Sequence, residues 1–282
     1  MTRKIFLLFF CVLAACGKKT FEGSRKPLLL VSLAPYQTLV QTIAGEEFEV
    51  RTVVPIGADP HNYEPTAQQL TQISQGKIWF RIGEPFEAKL LPCLKTTNLV
   101  DLRDALPLIE GQCQSHNHQD RHLWLSPKLL TIQAERITAA LSEMFPENQK
   151  KFEERLYLII CDLKTLDLEI ENQLRSAKVR TFLVSHPAFA YFCRDYDCRQ
   201  LSIEHEGKDP RPKELENTLR LAKEHQVMLS ITLPQYNNKG AQLIAENLQI
   251  PVRMIDPYAA DYLNTMKKLA ELISTPLNDE RD

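Results

Sequence analysis

Short apolar runs rich in Val, Ile, Leu and Phe recur along the chain, separated by longer segments whose apolar positions return every three or four residues. In the first half the runs are Leu28–Leu33, Phe48–Val54, Lys77–Gly83 and Asn98–Asp101; in the second they are Arg180–Ser185, Cys198–Ile203, Val227–Thr232 and Val252–Ile255. Strands covered on both faces lose the apolar/polar alternation of half-exposed strands, and amphipathic stretches between them supply the covering helices. The pattern therefore predicts an α/β fold of two lobes, each a mostly parallel sheet flanked by helices.

Between the two series lies Glu147–Ala177, in which Phe152, Leu156, Ile159, Ile160, Leu163, Leu166, Leu168 and Leu174 fall at roughly helical spacing. Neither Gly nor Pro occurs there after Pro146, which suits an opening turn because its missing N–H costs nothing in that position. One helix of about thirty residues, near 45 Å long at about 1.5 Å per residue, is predicted. The alternative, two shorter helices with a kink, finds no residue to make the break. A continuous helix is a poor hinge, so the lobes should move little. The expected divisions are an N-terminal lobe over 27–145, the linking helix over 146–178 and a C-terminal lobe over 179–282.

The N-terminus adds a compartment. Arg3 and Lys4 precede an apolar run, Ile5 to Ala15, that is too short to span a bilayer, so residues 1–15 read as a secretory signal. Leu13-Ala14-Ala15-Cys16-Gly17 resembles the lipobox of bacterial lipoproteins. That resemblance implies an acylated Cys16, a tether over 16–26 and a periplasmic or cell-surface location on a bacterial membrane. Beyond Cys16 the mature chain would carry five cysteines, Cys93, Cys113, Cys161, Cys193 and Cys198, an odd set for a compartment where disulfides persist, so at least one should be unpaired. Cys193 and Cys198 suit a disulfide or two free thiols equally well. With 34 basic and 36 acidic residues and no basic stripe, the chain offers nothing to nucleic acid.

None of the seven histidines forms a zinc-finger, His-Glu-x-x-His or Cys-x-x-Cys arrangement, so a metal site would have to be assembled over long range. Four residues share a placement that favours this. His61 lies in the loop after the Phe48–Val54 run, His186 directly follows Phe182–Ser185, Asp256 follows Val252–Ile255, and His122 opens the approach to the helical segment from Ser126. Ligands of open α/β sheets bind outside the carboxyl ends of the strands. Three imidazoles and one carboxylate suit tetrahedral Zn²⁺. Taken singly, each residue reads as well as a helix cap or a hydrogen-bonded loop residue.

The strings around these positions resemble a known family, the bacterial zinc and manganese ABC-transporter solute-binding lipoproteins. Gly57-Ala-Asp-Pro-His61-Asn-Tyr63-Glu-Pro65 is similar to the family's first ligand loop, His122-Leu-Trp124-Leu to the second, and Ser185-His186-Pro-Ala-Phe-Ala-Tyr191-Phe192 to the third. The likeness runs from Val31-Ser-Leu-Ala-Pro35 to Asp256-Pro-Tyr258, and Glu206-Gly207-Lys208-Asp209-Pro210 is similar to a structural motif of the family. It implies two helix-linked lobes, metal held by His61, His122, His186 and Asp256, and delivery to an ABC importer permease by a monomeric carrier. A histidine at position 186, where manganese-type members commonly carry a carboxylate, favours zinc, as does ligand softness, although Mn²⁺ and other divalent transition metals suit the same donor set. Departures are Arg121 for a common Pro, Ser126 for a usual Asp, and Leu233 where an acidic residue often precedes Pro-Gln. His116 and His118 stand where zinc-class members carry a longer His-rich collecting loop, and read as a reduced version of it or as solvated loop residues. His205 and His225 read as surface positions without a role.

Two other classes compete. A secreted zinc hydrolase needs an open coordination position and a general base, for which Glu64 and Glu206 qualify only by nearness in sequence. An adhesin with a structural metal would unfold when the metal is removed. Four protein ligands with no adjacent acid or base suit capture and release, so the chain is expected not to be an enzyme.

Overall fold

The structure, a computed structural model, describes residues 26–94, 97–110, 119–204 and 210–275. The signal and lipidation expectations at 1–25, including Cys16, lie outside the described residues, as do Cys113, His116, His118, His205 and Glu206.

Among the described residues, eight strands form two four-stranded, wholly parallel sheets. The first contains β1 (Leu28–Val31), β2 (Glu49–Thr52), β3 (Ile78–Arg81) and β4 (Asn98–Asp101) in the order β2-β1-β3-β4. The second repeats it with β5 (Thr181–Val184), β6 (Arg199–Ser202), β7 (Ser230–Thr232) and β8 (Val252–Met254) in the order β6-β5-β7-β8. All four residues of β1 are buried, which is why the run reads as continuously apolar. In each sheet the chain departs to one side of the first strand and returns on the other, which opens a crevice at the carboxyl ends between β1 and β3 and between β5 and β7.

The helices are α1 (Ala34–Ala44), α2 (Ala67–Ile73), α3 (Pro85–Leu90), α4 (Pro127–Met144), α5 (Gln149–Arg175), α6 (Ala190–Tyr196), α7 (Pro212–Glu224), α8 (Lys239–Leu248) and α9 (Tyr262–Ser274). The linking segment is one unbroken α-helix of 27 residues, α5, entered through a single 3-10 turn at Pro146–Asn148. Its buried stripe is Phe152, Ile159, Leu163, Leu166, Ile170 and Leu174 and packs along α4 and α9, while Leu168, also in the predicted stripe, faces solvent. The same apolar cluster runs from β1 through α4 and α5 to β5, β7 and α9, so the two sheets share one core. Cross-links reinforce this: Trp124 Nε1 donates to the carbonyl of Pro257 at 2.7 Å and Thr38 Oγ1 to that of Ala260 at 3.0 Å.

Cys161, Cys193 and Cys198 stand as free thiols. Cys193 and Cys198 flank the left-handed residue Asp197 that ends α6, and the N–H of Cys198 donates to the carbonyl of Cys193 at 3.0 Å, a C-cap bond that explains their nearness without a bridge.

Candidate metal centre

Three histidines from three loops meet between the sheets. His61 sits in a 3-10 turn, Pro60–Asn62, after β2; Asp59 caps that turn, its Oδ1 accepting the N–H of His61 at 3.0 Å. His122 precedes a second such turn, Leu123–Leu125, and Asp120 Oδ1 accepts its N–H at 2.8 Å. His186 follows the end of β5 and is buried. One potential ligand nitrogen from each lies within 4.8 Å of the others. Ring centroids are 5.1, 5.3 and 5.4 Å apart, and His61 Nε2 is 3.3 Å from His186 Nε2. A tetrahedral ion with bonds of about 2.0–2.1 Å holds its ligands about 3.3–3.4 Å apart, so this pair is already spaced as one edge of such a site.

Each imidazole is oriented from behind by a carboxylate. Glu84 Oε2 is 2.9 Å from His61 Nδ1, Asp120 Oδ1 is 2.9 Å from His122 Nδ1, and Glu204 Oε2 is 2.6 Å from His186 Nδ1. A carboxylate at Nδ1 fixes the tautomer with its proton there and leaves the Nε2 lone pair for an ion, the arrangement that supports metal-ligating histidines.

The turn carrying Glu84 is itself fastened. Gly83 has φ 83°, a left-handed conformation that favours glycine, and the adjoining N–H groups donate to Glu87 of α3, Ile82 at 3.0 Å and Gly83 at 2.7 Å. Ser32, at the end of β1, donates to Glu87 Oε1 at 2.5 Å and accepts from Trp79 Nε1 at 3.2 Å. Burial pushes the Glu87 carboxyl up to about 7, against the pull of these donors.

Burial opposes charge on His61, but neighbouring Glu84 outweighs it and moves the imidazole above its ordinary value. Glu84 moves the other way: burial pushes it up, and the attraction of His61 carries it below the usual carboxylate range. His186 lies well below its ordinary value, through burial first and then the nearness of His122 and His61.

Two tyrosines close the remaining side. Tyr236 lies flat on His186, with ring centroids 3.9 Å apart and planes 2° from parallel. Its hydroxyl is 2.8 Å from that of Tyr258, which is 3.2 Å from His122 Nε2. The loop bearing Tyr236 is tied to the His186 loop, since Leu233 N–H donates to Ser185 Oγ at 3.1 Å.

Asp256, the fourth expected ligand, lies on the loop after β8. Among the described residues it is not in the histidine group. Its Oδ1 accepts from Gln235 Nε2 at 2.8 Å and from the N–H of Tyr258 at 2.9 Å, so the carboxylate shapes the loop after β8. Glu64, a candidate base, forms an exposed ion pair with Lys89 at 2.6 Å. His225 rests against Arg199, its Nε2 3.1 Å from Nη1. Glu84, Glu204 and Tyr236 escaped the sequence reading although all three follow strand ends, the placement that singled out His186; Asp120 escaped it two residues before His122.

Two parallel sheets joined by one long helix, with a largely buried three-histidine cluster in the crevice between them, define a two-lobed metal-binding protein. Residues 29–275 match the family model described as zinc-uptake complex component A, periplasmic. The chain belongs to that family of metal-binding ABC-transporter solute-binding proteins. It is 35% identical over 271 residues to a putative metal-binding protein of Chlamydia trachomatis serovar D, covering 95% of this chain and 98% of that one. It is 26% identical over 270 residues to a metal ABC transporter substrate-binding lipoprotein of Streptococcus cristatus, covering 88% and 86%. A solved structure described as that of ZnuA superposes with a TM-score of 0.84 at 32% identity, over 89% of this chain and 98% of that one.

Proposed function

We propose that the chain is a zinc carrier: it captures Zn²⁺ on the Nε2 atoms of His61, His122 and His186, with the Asp256 carboxylate as the fourth ligand, and hands it to the membrane permease of an ABC importer, without catalysing a reaction. The observation that supports this most is that each of the three imidazoles has a carboxylate on its Nδ1 while one nitrogen from each comes within 4.8 Å of the other two. Three nitrogen donors favour Zn²⁺ over Mn²⁺, for which oxygen donors are better suited. Zinc here is cargo, and imidazole nitrogens suit it as donors.

The reading extends to the parts outside the site. Cys16, acylated after removal of residues 1–15, tethers the carrier to the outer side of a bacterial membrane, in keeping with the lipoprotein named among its relatives. The carrier acts as a monomer, with lobes over 27–145 and 179–282 on the linking segment 146–178. The test is metal content and competition binding of the purified protein, wild type against His186→Glu, under Zn²⁺ and Mn²⁺. One zinc per chain, with a shift toward manganese in the variant, is the expected result. Absence of stoichiometric zinc from the wild type would defeat the reading.

A further inference from the structure

The string Ser185-His186-Pro-Ala-Phe-Ala-Tyr191-Phe192 carries a histidine of the centre at its second residue, and the centre itself gives no work to the tyrosine five residues further on. We infer that Tyr191 is a positioning residue: from the second lobe it sets the base of the first lobe's His122 loop and so, through Asp120, aims His122 at the ion. This rests on the zinc reading above and adds a coupling between two of the ligand loops.

Tyr191 lies on α6 and is fully buried. The small apolar cluster it joins is otherwise made of Leu106, Leu108, Ile109, Leu123 and Leu129, all from the first lobe. A ring from one lobe thus plugs a pocket in the other. The same helix reaches the same part of the chain with polar side chains: Arg194 Nη1 donates to the carbonyl of Pro107 at 3.3 Å, and Asp195 accepts from Ser126 Oγ.

The hydroxyl does more than fill space. Ile109 and Asp120 face each other at the base of the stretch that leads to His122, and the N–H of Asp120 donates to the carbonyl of Ile109 at 3.0 Å. Two hydrogen-bonded antiparallel residues ordinarily exchange both of their N–H to carbonyl bonds. Here the return bond runs through the phenol: Ile109 N–H donates to Tyr191 Oη at 3.3 Å, and Tyr191 O–H donates to the Asp120 carbonyl at 2.9 Å. One rung of this backbone pair is therefore supplied by the other lobe. Asp120 in turn holds His122 twice, its Oδ1 accepting the N–H at 2.8 Å and facing Nδ1 at 2.9 Å. One short stretch of chain, His186 to Tyr191, thus carries one ligand and fixes another.

Tyr191→Phe keeps the plug and removes the rung. The Ile109 N–H and the Asp120 carbonyl then close on each other or take in water, and either moves the Asp120 backbone away from the position that aims His122.

The test is zinc competition binding, with the visible absorption of the Co²⁺-loaded protein, for wild type, Tyr191→Phe, Asp120→Ala, the double variant and Tyr196→Phe. Tyr196 is the control: it lies on the same helix, but its hydroxyl donates to Asp167 of α5 at 2.7 Å, away from the His122 loop. Tyr191→Phe should keep one zinc per chain, bind it roughly 10-fold more weakly and alter the Co²⁺ spectrum, which reads the geometry around the ion. Tyr196→Phe should change neither. In the Asp120→Ala background the further loss from Tyr191→Phe should shrink to about twofold or less, because the link it acts through is already gone. Wild-type affinity and spectrum in Tyr191→Phe would overturn the inference while leaving the zinc carrier intact. So would an equal loss in both backgrounds, or the same loss in Tyr196→Phe, since the tyrosine would then only steady the helix. Wild-type protein that takes up no zinc removes the carrier reading and this inference together.

Discussion

At the scale of single residues, the zinc-carrier reading separates groups that would touch the ion from groups that aim them. His61→Ala, His122→Ala and His186→Ala each remove a donor, and each should weaken zinc more than loss of a supporting carboxylate does, whereas His225→Ala, at the C-terminal end of α7 beside Arg199 of β6, should leave affinity unchanged in a competition assay. Glu84→Gln and Glu204→Gln keep the shape but remove charge from behind His61 and His186, and a loss of roughly 10–100-fold is expected for each. Protons compete for the same nitrogens, so affinity should fall as pH is lowered. Because Glu84 holds His61 above its ordinary value despite burial, the fall should begin above the pH expected of a free imidazole. Zinc titrations from about pH 8 down to about pH 5 measure this, and Glu84→Gln should move the onset to lower pH. The three histidines were legible in the sequence because each sits in a loop beside a strand or helix end and within a specific string. The carboxylates were not, because an acidic residue after a strand has many uses, and only the folded chain shows which imidazole it faces. Asp256 follows the same strand-end rule, and its Oδ1 is held by Gln235 and the N–H of Tyr258.

At the scale of elements, α5 connects the pattern of the chain to the stiffness of the molecule. Its stripe of Phe152, Ile159, Leu163, Leu166, Ile170 and Leu174 recurs closely enough to helical period that the helix was legible from spacing and the absence of breakers. Its first residues were less so, because Pro146 opens a 3-10 turn before the α-helix begins at Gln149. Phe152 is fully buried at the junction of α5 with Phe48 and Phe145, so Phe152→Ala should cost about 3–5 kcal/mol in chemical denaturation. Since the apolar cluster is continuous from β1 to α9, that loss should lower a single cooperative transition and leave no separately melting lobe. The strands were legible as apolar runs, but their lateral order was not: β1 and β5 pair with partners on both sides, a choice made by the crossover connections and not by any one strand's residues.

At the scale of the whole molecule, the two sheets, the linking helix and the cross-links from Trp124 and Thr38 make one body whose site is built before cargo arrives. Removal of zinc by a chelator should therefore leave far-UV circular dichroism unchanged and lower the melting temperature, unlike a structural metal, whose loss unfolds the chain. At free zinc about a thousand times Kd the added stability is about 4 kcal/mol, which calorimetry with and without the ion would measure. The clamp of Trp79, Ser32 and Glu87 on the turn after β3 gives this rigidity a kinetic side. With Glu84 fastened in advance, loading requires no ordering of the chain and proceeds as fast as ions reach the mouth of the crevice. On the zinc-carrier reading the slow step is then unloading, and residence time becomes the quantity the proposed permease has to shorten. A docking force on the turn after β3 would reach His61 through Glu84 in a single hydrogen bond, so the turn that steadies the cargo is also the shortest lever for its release.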